Sequence, residues 1–166
     1  MVYYRYPNSK ERKRIPMTTA YDVPAKELIA NLSKKLQSDT TITPPEWSRY
    51  VRTGVSKENP PETKDWWHTR CASILRKLYI NKYMGIERLR AEYGGKRDRG
   101  SKPNKAKQGS GAIVRKALQQ LEAAGYVTKM KGRGRILTPK GVKFLDNTSY
   151  EVKQTLVEAM PALKKY

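Results

Sequence analysis

The sequence predicts a mainly α-helical fold, a winged helix-turn-helix core around a central helix with a small β-hairpin as the wing. Three observations predict it. The stretch WWHTRCASILRKLYI puts Trp67, Cys71, Ile74, Leu75 and Leu78 at i, i+4, i+7, i+8 and i+11, which is one face of a core helix. After it come a short helix, a polar run, a second amphipathic helix, two strand-like stretches around KGRG and a closing helix, the element order of a winged helix. Positive charge gathers on the later amphipathic helix and at the hairpin tip, the usual nucleic-acid surfaces of that architecture.

Each element follows from its residues. Residues 1–16 are basic, interrupted by Pro7 and Pro16, and carry no helical apolar stripe, so they read as an extended arm before a single domain over 17–166. Asp22 as a cap and Pro24 in a first turn precede Leu28, Ile29, Leu32 and Leu36 at helical spacing. Thr43, Pro44, Pro45 and Glu46 form a capping-box pattern that opens a short helix through Trp47, Tyr50 and Val51, ending near Gly54. Asp65 caps the central helix. Ile86, Leu89 and Tyr93 make the buried side of a short helix that Gly94 and Gly95 terminate.

Ser110 caps the next helix, with Val114, Ala117, Leu118, Leu121 and Ala124 inward and Arg115, Lys116, Gln119 and Gln120 outward, before Gly125 stops it. YVTKMKGRGRILT reads as a hairpin whose glycines suit a tight turn. Thr138 and Pro139 open the last helix, which places Val142, Leu145, Val152 and Leu156 on one side and ends at Pro161.

Composition narrows the function. With 35 Lys and Arg against 15 Asp and Glu, the formal charge of +20 exceeds what solubility requires and calls for a polyanion, nucleic acid before an anionic membrane. No apolar stretch reaches the length of a bilayer span and no secretory signal opens the chain, so a soluble intracellular protein is expected. One cysteine, Cys71, and one histidine, His68, exclude an internal disulfide and a multi-thiolate or imidazole metal site. With no third group to orient them, the pair reads as partly buried helix residues. No metal, cofactor, small-molecule substrate or catalytic activity is expected.

The run YGGKRDRGSKPNKAKQGSG carries six Lys or Arg against one Asp: Lys96, Arg97, Arg99, Lys102, Lys105 and Lys107. The bland reading is a solvated linker. The functional reading is an adaptable loop that neutralises phosphates and orders on RNA, favoured because unrelieved repulsion would otherwise collect in one place. Its closing GSG lacks the Lys and hydroxyl context of a nucleotide-binding loop.

Taken in order, TPPEW, DWWHTRCASILRKLY, GIERLRAEYGGKRDRG, IVRKALQQLEAAGYV and GRILTPKG make the chain from Met17 to Tyr166 resemble the small-subunit ribosomal protein family S-nineteen-e of archaea and eukaryotes, with an archaeal look. The resemblance implies a mostly helical protein in the head of the small ribosomal subunit. It further implies contact with the 3' domain of the ribosomal RNA and with neighbouring small-subunit proteins, a cytoplasmic location, and a part in subunit maturation. It points to Trp66, Arg70 and Arg76 on the central helix and to Arg115 and Lys116 on the later one. The loop differs between members, so Lys102, Lys105 and Lys107 enter on charge alone.

The candidates have competing readings. Arg115 and Lys116, like Arg133 and Arg135 in the wing, either decorate a solvated face or meet RNA, and their elements favour RNA. Trp67 is core, whereas Trp66, one turn from Arg70, packs over a guanidinium, lies under a loop or stacks on a base. Arg70 and Arg76 serve equally well as structural anchors or phosphate contacts. The alternative function is a winged-helix DNA-binding regulator, which usually needs a dimer, and no amphipathic stripe is left over for one.

Overall fold

The computed structural model describes residues 18–160 and 162–163. The extended arm expected over residues 1–16 and the stop expected at Pro161 lie outside them. The fold is mainly helical, with two small antiparallel sheets.

Helix α1 (Ala25–Gln37) buries Leu28, Leu32 and Leu36 and leaves Ile29 half-buried, as its spacing predicts. Its N-cap is Pro24, not Asp22. The Asp22 carboxylate instead accepts from the Thr19 amide at 2.8 Å and hydroxyl at 2.9 Å, closing a turn too far upstream to reach the helix N–H groups. These two bonds hold the Asp22 carboxyl below its ordinary pKa.

The helix expected after TPPEW is only a 3-10 turn, Glu46–Arg49, capped by Pro45, so Glu46 is its first residue and not the third that a capping box requires. Tyr50 is consequently 81% exposed and not on a buried stripe.

Helix α2 (Trp66–Asn81) is the centre of the molecule, packing on α1, on α4 (Gly111–Ala123) and on α5 (Pro139–Ala159). Trp67, Cys71, Ile74, Leu75 and Leu78 are completely buried, as the periodicity predicts. Asp65 does occupy the N-cap, but its backbone at φ −91° and ψ 12° is not extended, and its carboxylate bonds no first-turn N–H.

A strand of two residues, β1 (Tyr83–Met84), follows through Lys82 at φ +64°. It joins the expected hairpin, β4 (Val127–Met130) and β5 (Gly134–Leu137), in a three-stranded sheet of order β1-β5-β4. The register pairs Met84 with Arg135 and Lys129 with Arg135 on the other side of β5. Gly134, at φ +103°, starts β5 where a Cβ would lie 2.6 Å from the Met84 carbonyl oxygen, so only glycine lets β1 approach the hairpin tip.

Helix α3 (Ile86–Glu92) buries Leu89 and ends at Tyr93. The basic run that follows is not an irregular loop. Gly95–Arg97 and Lys105–Lys107 pair as antiparallel strands β2 and β3. Helix α4 buries Ile113, Val114, Ala117, Leu118 and Leu121, with Ala124 half-buried at its C-cap. Ser110 stands at its N-cap without a side-chain bond.

Helix α5 has the predicted Thr138 cap, whose Oγ1 accepts from the Gly141 amide at 3.2 Å and donates to the Gly125 carbonyl at 2.7 Å. Leu145 and Val152 are buried, Val142 and Leu156 half-buried. No helix among the described residues is long and apolar enough to cross a membrane.

Candidate nucleic-acid interface

Strands β2 and β3 organise the charge that the sequence read as a mobile loop. Arg97 pairs directly with Lys105, Lys96 with Ala106 and Gly95 with Lys107. Because side chains alternate along a strand, Arg97, Lys105 and Lys107 share one face and Lys96 takes the other. Like charges directly opposite each other are destabilising, and Asp98, the acid beside them, accepts from the Gly100 amide at 3.0 Å to close the turn. Arg99 and Lys102 stand exposed in that turn, where Arg99 Nη1 lies 3.4 Å from the Pro103 carbonyl. The pairing therefore presents an exposed cationic face whose repulsion a polyanion would relieve.

Helix α4 starts four residues after Lys107 and exposes Arg115 and Lys116 opposite its buried stripe. Gln120 departs from its expected outward position: its Nε2 donates to the Thr43 carbonyl at 2.6 Å and its Oε1 accepts from Trp67 Nε1 at 2.8 Å. It joins α4 to α2, a role that helical spacing could not reveal because the partner lies far away in sequence.

The two arginines of the β4–β5 hairpin separate. Arg133 is exposed at the tip, 5.7 Å from the centre of the Tyr83 ring. Arg135 is inside the ladder with only 12% of its side chain exposed, its Nε 3.9 Å from Glu122 of α4, which Lys129 also approaches at 3.5 Å. Glu122 thus draws two hairpin cations back toward the protein and leaves Arg133 outward.

On α2, Trp66 is half-buried with its ring 5.4 Å from Trp67, edge to face, and Trp47 meets the same Trp67 ring at 5.8 Å. The Arg70 guanidinium lies 4.0 Å from the Tyr93 ring centre, and burial lowers its pKa from the ordinary arginine value while Tyr93 opposes that shift. Arg76 is half-buried, and its Nε has no hydrogen-bond partner among the described residues. Trp66, Arg70 and Tyr93 line a cleft of 680 Å³ against the loop through Lys57 and Pro61.

These residues do not form one patch. The first turn of α2 and the Tyr83 that underlies Arg133 are separated by a helix of about 25 Å at 1.5 Å per residue. Cations therefore lie at both ends of α2. Arg52 and Tyr50, which the sequence reading did not single out as site residues, line a second cleft beside α4; the one aromatic set between Arg49 and Arg52 in SRYVRTG was the available signal.

His68 and Cys71 are both buried, Cys71 as the α2 stripe predicts and His68 more fully than the sequence reading expects. His68 Nε2 sits 3.0 Å from the Ile42 carbonyl oxygen, and burial pushes the Cys71 thiol up to about 12. No group of three His, Cys, Asp or Glu that could hold a metal occurs among the described residues.

Comparison with known proteins gives a consistent result. A model of the family described as ribosomal protein S19e matches residues 19–155. The small ribosomal subunit protein eS19 of Thermoplasma acidophilum is 48% identical over 150 residues, covering 90% of this chain and 99% of its own length. That of Aeropyrum pernix is 45% identical over 152 residues with the same coverage. The eS19G protein of Ascaris suum is 40% identical over 141 residues, covering 84% of this chain and 95% of its own. With matched residues spanning every element from α1 into α5, the chain belongs to the ribosomal protein S19e family.

Proposed function

We propose that this protein is a structural constituent of the small ribosomal subunit that binds ribosomal RNA of the subunit head, in its 3' domain. The β2–β3 hairpin, α4 and the Arg133 tip supply the contacts. The observation that carries the reading is the cationic face of Arg97, Lys105 and Lys107, paired in register and continuous with the start of α4. Family membership and relatives named as small-subunit proteins support it. The protein is structural and not an enzyme, and it works in the cytoplasmic ribosome beside neighbouring small-subunit proteins, with a part in subunit maturation and assembly.

The architecture behind this is a winged helix-turn-helix. Helices α2, α3 and α4 form its helical part, α4 stands in the recognition position, and the β1-β5-β4 sheet is the wing. The described residues are read as one domain. Cations at both ends of α2 suit a protein surrounded by folded RNA, which is bound mainly through phosphates, better than a regulator lying in one duplex groove.

Sedimentation of cell extract at low magnesium tests the proposal. The protein is expected in the small-subunit fractions, and its absence from them ends the reading.

A further inference from the structure

We propose that the cleft between the Tyr50–Val55 segment and the start of α4 holds one unstacked RNA nucleotide, its base against Tyr50 and Val55 and its phosphate facing Arg52. This rests on the RNA binding proposed above and adds a contact made to the face of a base.

The cleft measures 470 Å³ and is lined by Tyr50, Arg52, Val55, Arg90, Gln108 and Gly111 among others. That volume lies in the range of small-ligand sites, about 300–1,000 Å³. Tyr50 is 81% and Val55 51% exposed, so a phenol ring and a branched aliphatic side chain stand in water at one opening of a strongly cationic protein. A base has a π-face that stacks on such a ring whatever its identity, and a nucleotide also brings the negative charge that the surroundings call for.

The two guanidinium groups have different tasks. Arg90 is committed to the wall: its Nη1 donates to both Glu87 carboxylate oxygens at 2.8 Å and its Nε to the Gly109 carbonyl at 3.2 Å. Arg52 is held, among the described residues, by a long bond from Nη1 to the Lys57 carbonyl at 3.3 Å, which leaves donors of its planar fork for a phosphate.

The platform is also fixed in place. The Ser110 amide donates to the Thr53 carbonyl at 2.9 Å, the Gly109 amide to the Arg90 carbonyl at 2.9 Å, and Gly54 bridges to Gly109. The segment carrying Tyr50 is therefore tied to the end of the basic hairpin before any ligand arrives, which lowers the ordering cost of binding. Gln108 directly follows Lys107, so a strand whose phosphates follow the Arg97, Lys105 and Lys107 face is led into the cleft. Two exposed apolar side chains are ample for one base and far short of a protein interface, which needs about 1,000 Å² of buried surface.

The test is fluorescence anisotropy at one salt concentration, with the full chain and two labelled probes: an oligouridylate of about twelve nucleotides and a blunt RNA duplex of equal length. Tyr50→Ala is expected to weaken single-strand binding roughly 5- to 100-fold and to leave duplex binding unchanged. Tyr50→Phe should match the unsubstituted protein on both probes, and the Arg115→Ala, Lys116→Ala double variant should weaken both.

Full single-strand affinity in Tyr50→Ala, with the double variant weakened, overturns the nucleotide site, leaves RNA binding intact and turns the patch over to a protein neighbour. Equal losses on both probes from Tyr50→Ala, or a Tyr50→Phe as weak as Tyr50→Ala, overturn the stacking geometry. Failure of the unsubstituted protein to bind either probe overturns the RNA reading itself.

Discussion

The guanidinium of Arg70 lies over the ring of Tyr93, 4.0 Å from its centre, and the Tyr93 hydroxyl in turn shares a 2.8 Å hydrogen bond with Ser73. This arrangement clamps the end of α3, and so the base of the β2–β3 hairpin, to α2. A desolvated cation–π contact contributes about 2 kcal/mol. Arg70→Ala should therefore lower the melting temperature by about 4–8 °C, as a chain of this size responds. Calorimetry checks this, and an unchanged melting temperature would return Arg70 to the set of free phosphate contacts.

Core and surface positions should respond in opposite ways. Trp67 is fully buried and donates to Gln120, so Trp67→Ala should cost about 3–5 kcal/mol and leave an unpaired amide in addition. Arg115→Ala with Lys116→Ala, both exposed, should leave the denaturation midpoint in place while reducing incorporation into small subunits. Equal destabilisation by the two variants would show that the faces of α4 are misassigned.

RNA affinity should fall steeply with salt. Neutralising about six phosphates gives a log-log slope of roughly minus four to minus five, because each contact releases condensed counterions. Titrations at several salt concentrations measure it, and a flat dependence contradicts phosphate contacts from the hairpin and α4.

Gly141, in the first turn of α5, sets helix propensity against packing. Alanine is intrinsically better in a helix by about 1 kcal/mol. Here its Cβ would press inside contact distance on the Tyr126 carbonyl oxygen, a backbone atom fixed by its 3.0 Å bond from the Thr138 amide. Gly141→Ala should therefore destabilise, read as a lower urea midpoint; a raised midpoint would show that α5 shifts freely.

Stability should decline in alkali. Burial raises the Cys71 thiol from an ordinary 9.0 to about 12, and burial followed by hydrogen bonds to Asp146 and Asp39 raises the Tyr79 and Tyr126 phenols from 10.0 to about 12. The native state holds these protons more tightly than the unfolded chain does. The stabilisation is thus complete below about pH 9 and is lost between there and about pH 12. Urea midpoints across that range measure the decline, and Tyr79→Phe with Tyr126→Phe should flatten it.

What the sequence determined by itself was whatever repeats locally. The stripe of α2 from Trp67 to Leu78, the Thr138 cap and the β4–β5 turn were legible because spacing and residue type specify them within a few residues. The charge was equally legible. Tertiary structure decided the rest. A strand of two residues has no period, so β1 exists only because Gly134 leaves room for it beside β5. The basic run read as an adaptable loop because it holds almost no side chain that could be buried, yet Gly95 to Arg97 and Lys105 to Lys107 pair through backbone groups that composition does not display. Gln120 and Arg135 looked like surface polar groups and Arg70 was open between anchor and phosphate contact; their partners Trp67, Glu122 and Tyr93 are brought to them by folding. Charge is a property of the chain, but which charges remain free for RNA depends on which neighbours the fold supplies.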